Sequence, residues 1–370
     1  MKALVLTCFE SNEERLRLVV KSLKEKEFEV VSYTSNFSHI RKSFRTNIPE
    51  GLNIINTKPY QKNLSIQRLY SHYNFAKEAF KIVRQEKPDL LYVLVPCNSL
   101  VKEAYKYKKE NKVKLIIDII DMWPESLPIS KKIKNLLPFK LWKSYRSKYL
   151  NCADRLISEC SLYKEALNNE YKGTIDTLYW AREQEPIRYD LDLDNNLSLL
   201  YIGSINNIIN VDLMVKLITS YNKPVTLHII GDGESKDEML DKLNKVCSVI
   251  YHGPIYDVEK KKEIFSKCHA GLNLYKNGLY IGLTVKSIDY FNFGLPIINN
   301  IIGDTSDFVN RYNVGINVDE DTILDFEEIK KMRIFNENIY KLYEDNFTDK
   351  TFVNKCKEII DEVNCIDVHL

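Results

Sequence analysis

Helices alternate with strands along a chain of 370 residues, in two series separated by a polar stretch. This pattern predicts an α/β protein of two Rossmann-like, doubly wound domains with a cleft between them. Three observations carry the prediction. The length exceeds the roughly 250–300 residues at which one core stops growing, so two domains are expected. Several candidate strands are near-continuous apolar runs, as parallel strands are when helices cover both faces. The alternation also breaks at 181–196, AREQEPIRYDLDLDNN, and then restarts.

The first domain is expected over 1–180. Its strands are ALVLTC (3–8), FEVVSY (28–33), DLLYVLV (89–95), VKLIIDII (113–120), ADRLISEC (153–160) and IDTLYW (175–180), with helices over 13–26, near 66–86 and near 99–111. The first strand runs into Thr7-Cys8-Phe9-Glu10-Ser11-Asn12, not a G-x-G-x-x-G turn, and no G-x-x-x-x-G-K-[ST] occurs. NAD or FAD chemistry and a P-loop ATPase are thereby disfavoured. Apolar content of 44% and 28% charged residues are those of an ordinary soluble globular chain, and a net charge of +2 argues against a generally basic nucleic-acid coat. The eight cysteines are scattered without a C-x-x-C pair, which points to reduced thiols and a cytosolic setting. Met1–Leu6 reads as a buried strand, not a signal peptide, and no apolar run reaches the ~18 residues of a membrane span.

Two stretches of this domain carry chemistry. Asp118 and Asp121 end the strand 113–120, at the edge where parallel sheets bind ligands. Each is a candidate polar contact to substrate, against the alternative of a polar loop rim. Residues 131–150, KKIKNLLPFKLWKSYRSKYL, carry seven positive charges and no acid, interleaved with Leu136, Leu137, Phe139, Leu141, Trp142, Tyr145 and Tyr149. That composition suits an anionic membrane surface. A solvated domain helix is the competing reading, and RNA contact through Trp142 and Tyr145 is a third.

Residues 181–196 are the expected linker, and 197–346 the second domain: SLLYIG (198–203), helix 209–220, VTLHIIG (225–231), helix 236–245, SVIYHG (248–253), helix 257–267, AGLNLY (270–275) and PIINNII (296–302). Helices near 324–345 and 349–364 close the chain. Strands end in glycine turns at Gly203-Ser204, Gly231 and His252-Gly253, as close backbone approach to a ligand requires. His252 has two readings, a substrate-polarising group and a structural hydrogen-bonder. The central stretch is GLYIGLTVKSIDYFNFGLP (278–296), where Thr284 is the expected N-cap of a helix bearing Lys286 and Asp289. Gly282, Leu283 and Thr284 then form an anion-collecting helix start, to which Lys286 adds a charge. The alternative is a solvated Lys286–Asp289 pair on a surface helix.

Two such domains, together with YIGS (201–204), HIIGDGE (228–234), YHG (251–253), GLTVKSIDYFNFGLPII (282–298) and DTSDFVNRYNVGINV (304–318), resemble the GT-B fold and the retaining glycosyltransferases of family 4. DMWPES (121–126) and ADRLIS (153–158) are similar to segments of bacterial members that build surface polysaccharides such as capsule. The resemblance implies a cytoplasmic enzyme, peripheral on the inner membrane face if 131–150 docks there. It implies retaining transfer of a hexose from a nucleotide diphosphate sugar, uridine-linked in the first place, to a lipid-linked or polysaccharide acceptor, without cofactor or metal. The acceptor side is 1–180, and 347–370 returns to it as a crossing helix. Domain closure excludes water.

On this resemblance the donor lies against Gly203, Ser204, Gly231, His252, Gly253, Gly282, Leu283, Thr284, Lys286 and Asp289. Gly282–Thr284 holds the diphosphate, Asp289 the ribose, and the loop after Tyr251 borders the base. Lys286 and Asp121 are the candidate catalytic residues. The first of the family's two glutamates falls on Ile281, and the second on Asp289. A catalytically inactive GT-B-like partner of an active transferase is the alternative function, and a sugar-nucleotide epimerase a third.

Overall fold

A computed structural model describes residues 1–185, 196–334 and 336–366. The chain divides into two compact units, Met1–Ala181 with Asp349–Leu370, and Arg182–Thr348.

The first unit is built from β1 (Lys2–Leu6), α1 (Glu13–Glu25), β2 (Glu29–Ser35), a short hairpin of β3 (Phe37–Ser38) and β4 (Ser43–Phe44), β5 (Asn53–Ile55), α2 (Ile66–Glu86), β6 (Leu90–Val95), α3 (Asn98–Glu110), β7 (Lys114–Ile119), α4 (Lys131–Lys134), α5 (Leu137–Ser147), β8 (Arg155–Ser158), α6 (Ser161–Leu167) and β9 (Ile175–Thr177). Its seven-stranded sheet has the order β5-β2-β1-β6-β7-β8-β9, parallel throughout, with Leu4 opposite Val31 on one side and Leu91 on the other. Every residue of β6 is buried, which is why LLYVLV reads as an unbroken apolar run. β5 escaped the sequence reading because three residues are too few to show a period.

The second unit contains β10 (Leu197–Ile202), α7 (Val211–Thr219), β11 (Val225–Ile230), α8 (Lys236–Leu243), β12 (Ser248–Gly253), α9 (Val258–Ser266), β13 (Ala270–Asn273), α10 (Val285–Asn292), β14 (Ile297–Asn299), α11 (Asp304–Tyr312), β15 (Gly315–Asn317), α12 (Phe326–Ile334) and α13 (Glu337–Asn346). Its parallel sheet runs β12-β11-β10-β13-β14-β15. The helix expected over 324–345 is thus two helices. The chain ends in α14 (Asp349–Asn364), which packs in the first unit, where Phe352, Val353, Cys356, Ile359, Ile360 and Val363 share one core with Leu16, Val19 and Leu23 of α1.

The start of the expected linker is bound within the second unit: Arg182 N–H donates to the Phe347 carbonyl, and Glu185 pairs with Lys262 at 2.7 Å. Residues 186–195 of that linker lie outside the described residues.

Two sequence expectations are corrected in the first unit. Asp118 is not a substrate contact. Both it and Arg15 of α1 are fully buried, and Arg15 donates to its two oxygens at 2.7 and 2.9 Å, while the Tyr92 hydroxyl adds a third bond at 2.8 Å. The carboxylate ties α1 to β6 and β7, and its complete burial leaves it out of a ligand's reach. Nor is 131–150 a uniformly solvated basic surface. Arg146, fully buried, meets Glu125 at 2.6 Å and Glu170 at 3.2 Å, and Lys143 meets the same two acids at 2.8 and 2.7 Å. The acids come from outside the stretch, so its local count overstates its free charge.

Asp118→Ala would leave Arg15 buried with no counter-charge, a loss of about 3–5 kcal/mol. All three tryptophans, Trp123, Trp142 and Trp180, lie in the first unit, so tryptophan fluorescence during urea unfolding reports that unit alone. We expect a lower urea midpoint for the variant. An unchanged midpoint would refute the anchoring role.

Candidate functional site

The second unit contains a cavity of about 280 Å³ lined by Ile202, Gly203, Ser204, Asn206, Ile208, Ile209, Tyr275, Thr284, Val285, Lys286 and Asp289. Five of the expected donor residues therefore meet: Gly203, Ser204, Thr284, Lys286 and Asp289. They come from the carboxyl end of β10 and the start of α10.

The start of α10 is set by a polar network. Thr284 is extended (φ −117°, ψ 148°), and its side chain caps the helix by accepting from Ser287 N–H at 3.0 Å. Its hydroxyl also contacts Ser287 Oγ at 2.7 Å and donates to Asn273 Oδ1 at 3.3 Å. Asn273 Nδ2 donates to Asn299 Oδ1 at 2.7 Å, and Asn299 Nδ2 to Asn317 Oδ1 at 2.7 Å. These three asparagines are the last residues of β13, β14 and β15 and stand in register. The sequence reading missed them, although the endings GLN, IIN and GIN carry the signal. Gly282 is fixed by its carbonyl, which accepts from Thr305 N–H and Oγ1, both at 2.9 Å. Tyr290, one turn further along α10, donates from its hydroxyl to the Leu200 and Leu272 carbonyls, each at 3.2 Å, and accepts from Ile202 N–H at 3.1 Å. The helix is thus locked across β10 and β13.

Lys286 is not half of a solvated pair with Asp289. Its ammonium is buried, with no hydrogen-bond partner among the described residues, and sits 4.0 Å from the centre of the Tyr201 ring and 4.9 Å from that of Tyr275. Burial pulls its pKa down to about 7. Asp289 turns instead to Arg182, at 2.7 Å, and burial raises its pKa in spite of that partner.

Gly203 has φ +120°, and a Cβ there would come 3.2 Å from Lys286 Cε. A side chain at 203 would crowd the lysine. Gly231 serves a different purpose from the expected ligand approach: with φ +145°, a Cβ would lie 2.0 Å from the Gly203 carbonyl oxygen. Its glycine is demanded by the neighbouring strand end. Gly231, His252, Gly253, Gly282 and Leu283 do not line the cavity. His252 is stacked on His228, with ring centres 5.3 Å apart and an Nδ1–Nε2 distance of 3.0 Å; burial lowers the pKa of both.

With this geometry in hand, similarity to known proteins can be weighed. Residues 196–331 match the sequence model of the glycosyl transferases group 1. No curated protein matches the chain by sequence. Among solved structures, sucrose-phosphate synthase from Thermosynechococcus elongatus superposes with a TM-score of 0.72 at 11% identity, covering 98% of this chain and 99% of that one. The lipopolysaccharide outer core galactosyltransferase WaaB gives 0.70 at 16% identity over 98% and 99%. Anabaena HepE in complex with UDP gives 0.69 at 11% identity over 98% and 100%. The fold is GT-B.

In the first unit of this GT-B chain, Asp121 follows β7. Its carboxylate accepts from Ser126 Oγ and, at 3.5 Å, from the Tyr163 hydroxyl; burial raises its pKa. The sequence reading passed over Glu159, at the end of β8. Burial, with Asp121 as the next cause, pushes its pKa up to about 8, and it accepts from Trp180 Nε1 at 2.6 Å.

Lys286 gives a signed pH prediction. Its folded pKa of about 7 lies below its unfolded value near 10.5, so between those values the unfolded chain binds the extra proton. Its contribution to stability is complete above about pH 10.5 and is lost as pH falls toward 7. Relative to Lys286→Met, wild type is expected to gain thermal stability steadily from pH 7 to 10. A pH-independent difference between the two would show an ammonium with an ordinary pKa.

Proposed function

We propose that this chain is a glycosyltransferase that moves a hexose from a nucleotide diphosphate sugar to a lipid-linked or polysaccharide acceptor in cell-surface glycan synthesis. The observation that carries the reading is Lys286, a buried ammonium without a hydrogen-bond partner among the described residues, on the wall of a cavity that Thr284 and Val285 at the start of α10 also line. A helix start attracts anions, and an adjacent lysine suits a diphosphate. The match of 196–331 to the glycosyl transferases group 1 supports this. The structures of HepE with UDP and with UDP-glucose support a uridine nucleotide.

In the proposed reaction the bond from the anomeric carbon to the diphosphate oxygen breaks and a bond to the acceptor hydroxyl oxygen forms. The acceptor proton passes to the departing diphosphate, and the anomeric configuration is retained. Lys286 and the α10 dipole stabilise the charge that develops on the leaving group, so the proposal requires no metal. Asp289 holds the ribose hydroxyls, and Asp121 contacts the acceptor.

A uridine diphosphate sugar at 100 times its dissociation constant should stabilise the protein by about 2.7 kcal/mol, seen as a higher unfolding temperature. Lys286→Ala should lower kcat about 10²–10³-fold. Near-normal turnover in that variant would overturn the mechanism. Absence of a shift with uridine, guanosine, thymidine and cytidine diphosphate sugars alike would favour the inactive-partner reading.

The membrane contact is proposed for α4 and α5. Ile133, Leu136, Leu137 and Leu141 are 41, 55, 69 and 53% exposed, beside exposed Lys132 and Lys140. No helix among the described residues is long and apolar enough to cross a membrane, so the contact is peripheral. Leu137→Asp with Leu141→Asp should reduce co-sedimentation with phosphatidylglycerol vesicles at least tenfold, since each buried leucine contributes about 1.5–3 kcal/mol. Equal sedimentation of variant and wild type would remove this surface from the proposal.

A further inference from the structure

The first unit contains a second buried cation that no acid neutralises. Arg68, in the first turn of α2, is 2% exposed. Its Nη1 donates to the Asn63 carbonyl at 3.0 Å, while Nε and Nη2 have no hydrogen-bond partner, and the side chain forms no ion pair among the described residues. The guanidinium lies 4.0 Å from the centre of the Trp123 ring and 5.7 Å from that of Trp142. Other buried arginines have acids or several carbonyls beside them: Arg15 has Asp118, Arg146 has Glu125 and Glu170 although its Nε is unbonded, Arg155 has Asp176, and Arg333 has the carbonyls of Phe265, Cys268, Phe293 and Gly294. Stacking on tryptophan offsets part of the desolvation of a cation, but it leaves two N–H edges unbonded.

The neighbourhood extends the same donor surface. His72, one turn along α2, is buried against Trp123 with ring planes 12° apart, and neither ring nitrogen has a partner. Lys42 Nζ donates to the His39 carbonyl and to Asn63 Oδ1, and lies 4.8 Å from the centre of the Tyr60 ring, so its charge but not all of its donors remains available. The carboxylates acting on this cluster are engaged elsewhere. Glu10 accepts from Ser38 Oγ and from the N–H groups of His39 and Ile40, and Asp121 is held by Ser126 and Tyr163. Nε and Nη2 form one edge of the guanidinium, with two parallel donors spaced for two oxygens of one oxyanion. An apolar cavity of about 160 Å³, which Arg68 itself does not line, shares two of its neighbours. Trp142, which contacts the guanidinium, and Asn63, whose carbonyl holds Nη1, both line it, along with Leu64, Ile66, Leu69 and Phe139.

We propose that Arg68, with His72 and Lys42, binds the phosphate group of a phosphate ester, and that the cavity takes an apolar substituent of that ester. Its assignment as an acceptor subsite rests on the transferase reading; the phosphate site itself does not. Lipid phosphates and phosphorylated sugars share the phosphate group, but only a lipid phosphate has an apolar substituent to fill the cavity.

Trp123 and Trp142 report the site through their fluorescence. The full chain is titrated at constant ionic strength with glucose 1-phosphate, a short isoprenyl phosphate and glucuronate. Saturable fluorescence changes with the phosphates are expected, at least tenfold weaker in Arg68→Gln and in His72→Phe, each shown to be folded by circular dichroism. Tighter binding of the isoprenyl phosphate than of glucose 1-phosphate is expected and identifies a lipid phosphate; equal binding would overturn the role of the cavity. No saturable response to either phosphate, a response to glucuronate alone, or equal affinity in wild type and both variants would overturn the proposal. Stabilisation by the uridine, guanosine, thymidine and cytidine diphosphate sugars is measured in parallel: its absence with all four, with phosphate binding intact, counts against the transferase reading and leaves this site standing.

Discussion

The asparagine ladder Asn273–Asn299–Asn317 is the constraint on which the rest of the candidate site depends. Each amide is buried or half-buried at a strand end; Asn273 donates to Asn299 and Asn299 to Asn317 across the sheet, and Asn317 donates to Asn310 of α11. Buried amides are costly unless bonded, so the ladder specifies one register for three parallel strands. Asn273 then hands that register to Thr284 and Ser287, which fixes where α10 begins. The position of the Lys286 ammonium is a consequence of this, three strands deep.

Lys286 and Arg68 share one physical property, although they lie in different units. Each is a buried cation without an acid, held against two aromatic rings. The other buried arginines among the described residues have acids or carbonyls beside them. Aromatic faces stabilise a cation less than a carboxylate does, and they leave its N–H donors directed outward. A ligand bearing negative charge supplies what the fold withholds.

Asp118 and Lys143 show where local reading of charge misleads. Asp118 sits at the strand end where a ligand contact is expected, yet Arg15, 103 positions earlier, takes both of its oxygens. Lys143 and Arg146 sit in a stretch without acids, yet Glu125 and Glu170 converge on them from either side in sequence. Coulombic partners are chosen by distance in space, which a window along the chain does not measure.

Strand and helix periodicity, the absence of dinucleotide and P-loop turns, and the Thr284 cap with Lys286 two residues on were all legible in the sequence, because each depends on neighbours a few residues apart. From them the two parallel-sheet units follow, and the resemblance of motifs such as 282–298 implied the GT-B architecture. Short strands such as β5 and β15, and the break between α12 and α13, were not legible, since edge pairing and helix packing decide them. Nor were the burial of Lys286, the partner of Asp289, the in-register asparagines, or the meeting of Arg68 with Trp123 and Trp142. Those properties arise from groups 50 or more positions apart or from strands brought side by side, and only the folded chain sets the distances on which desolvation and hydrogen bonding act.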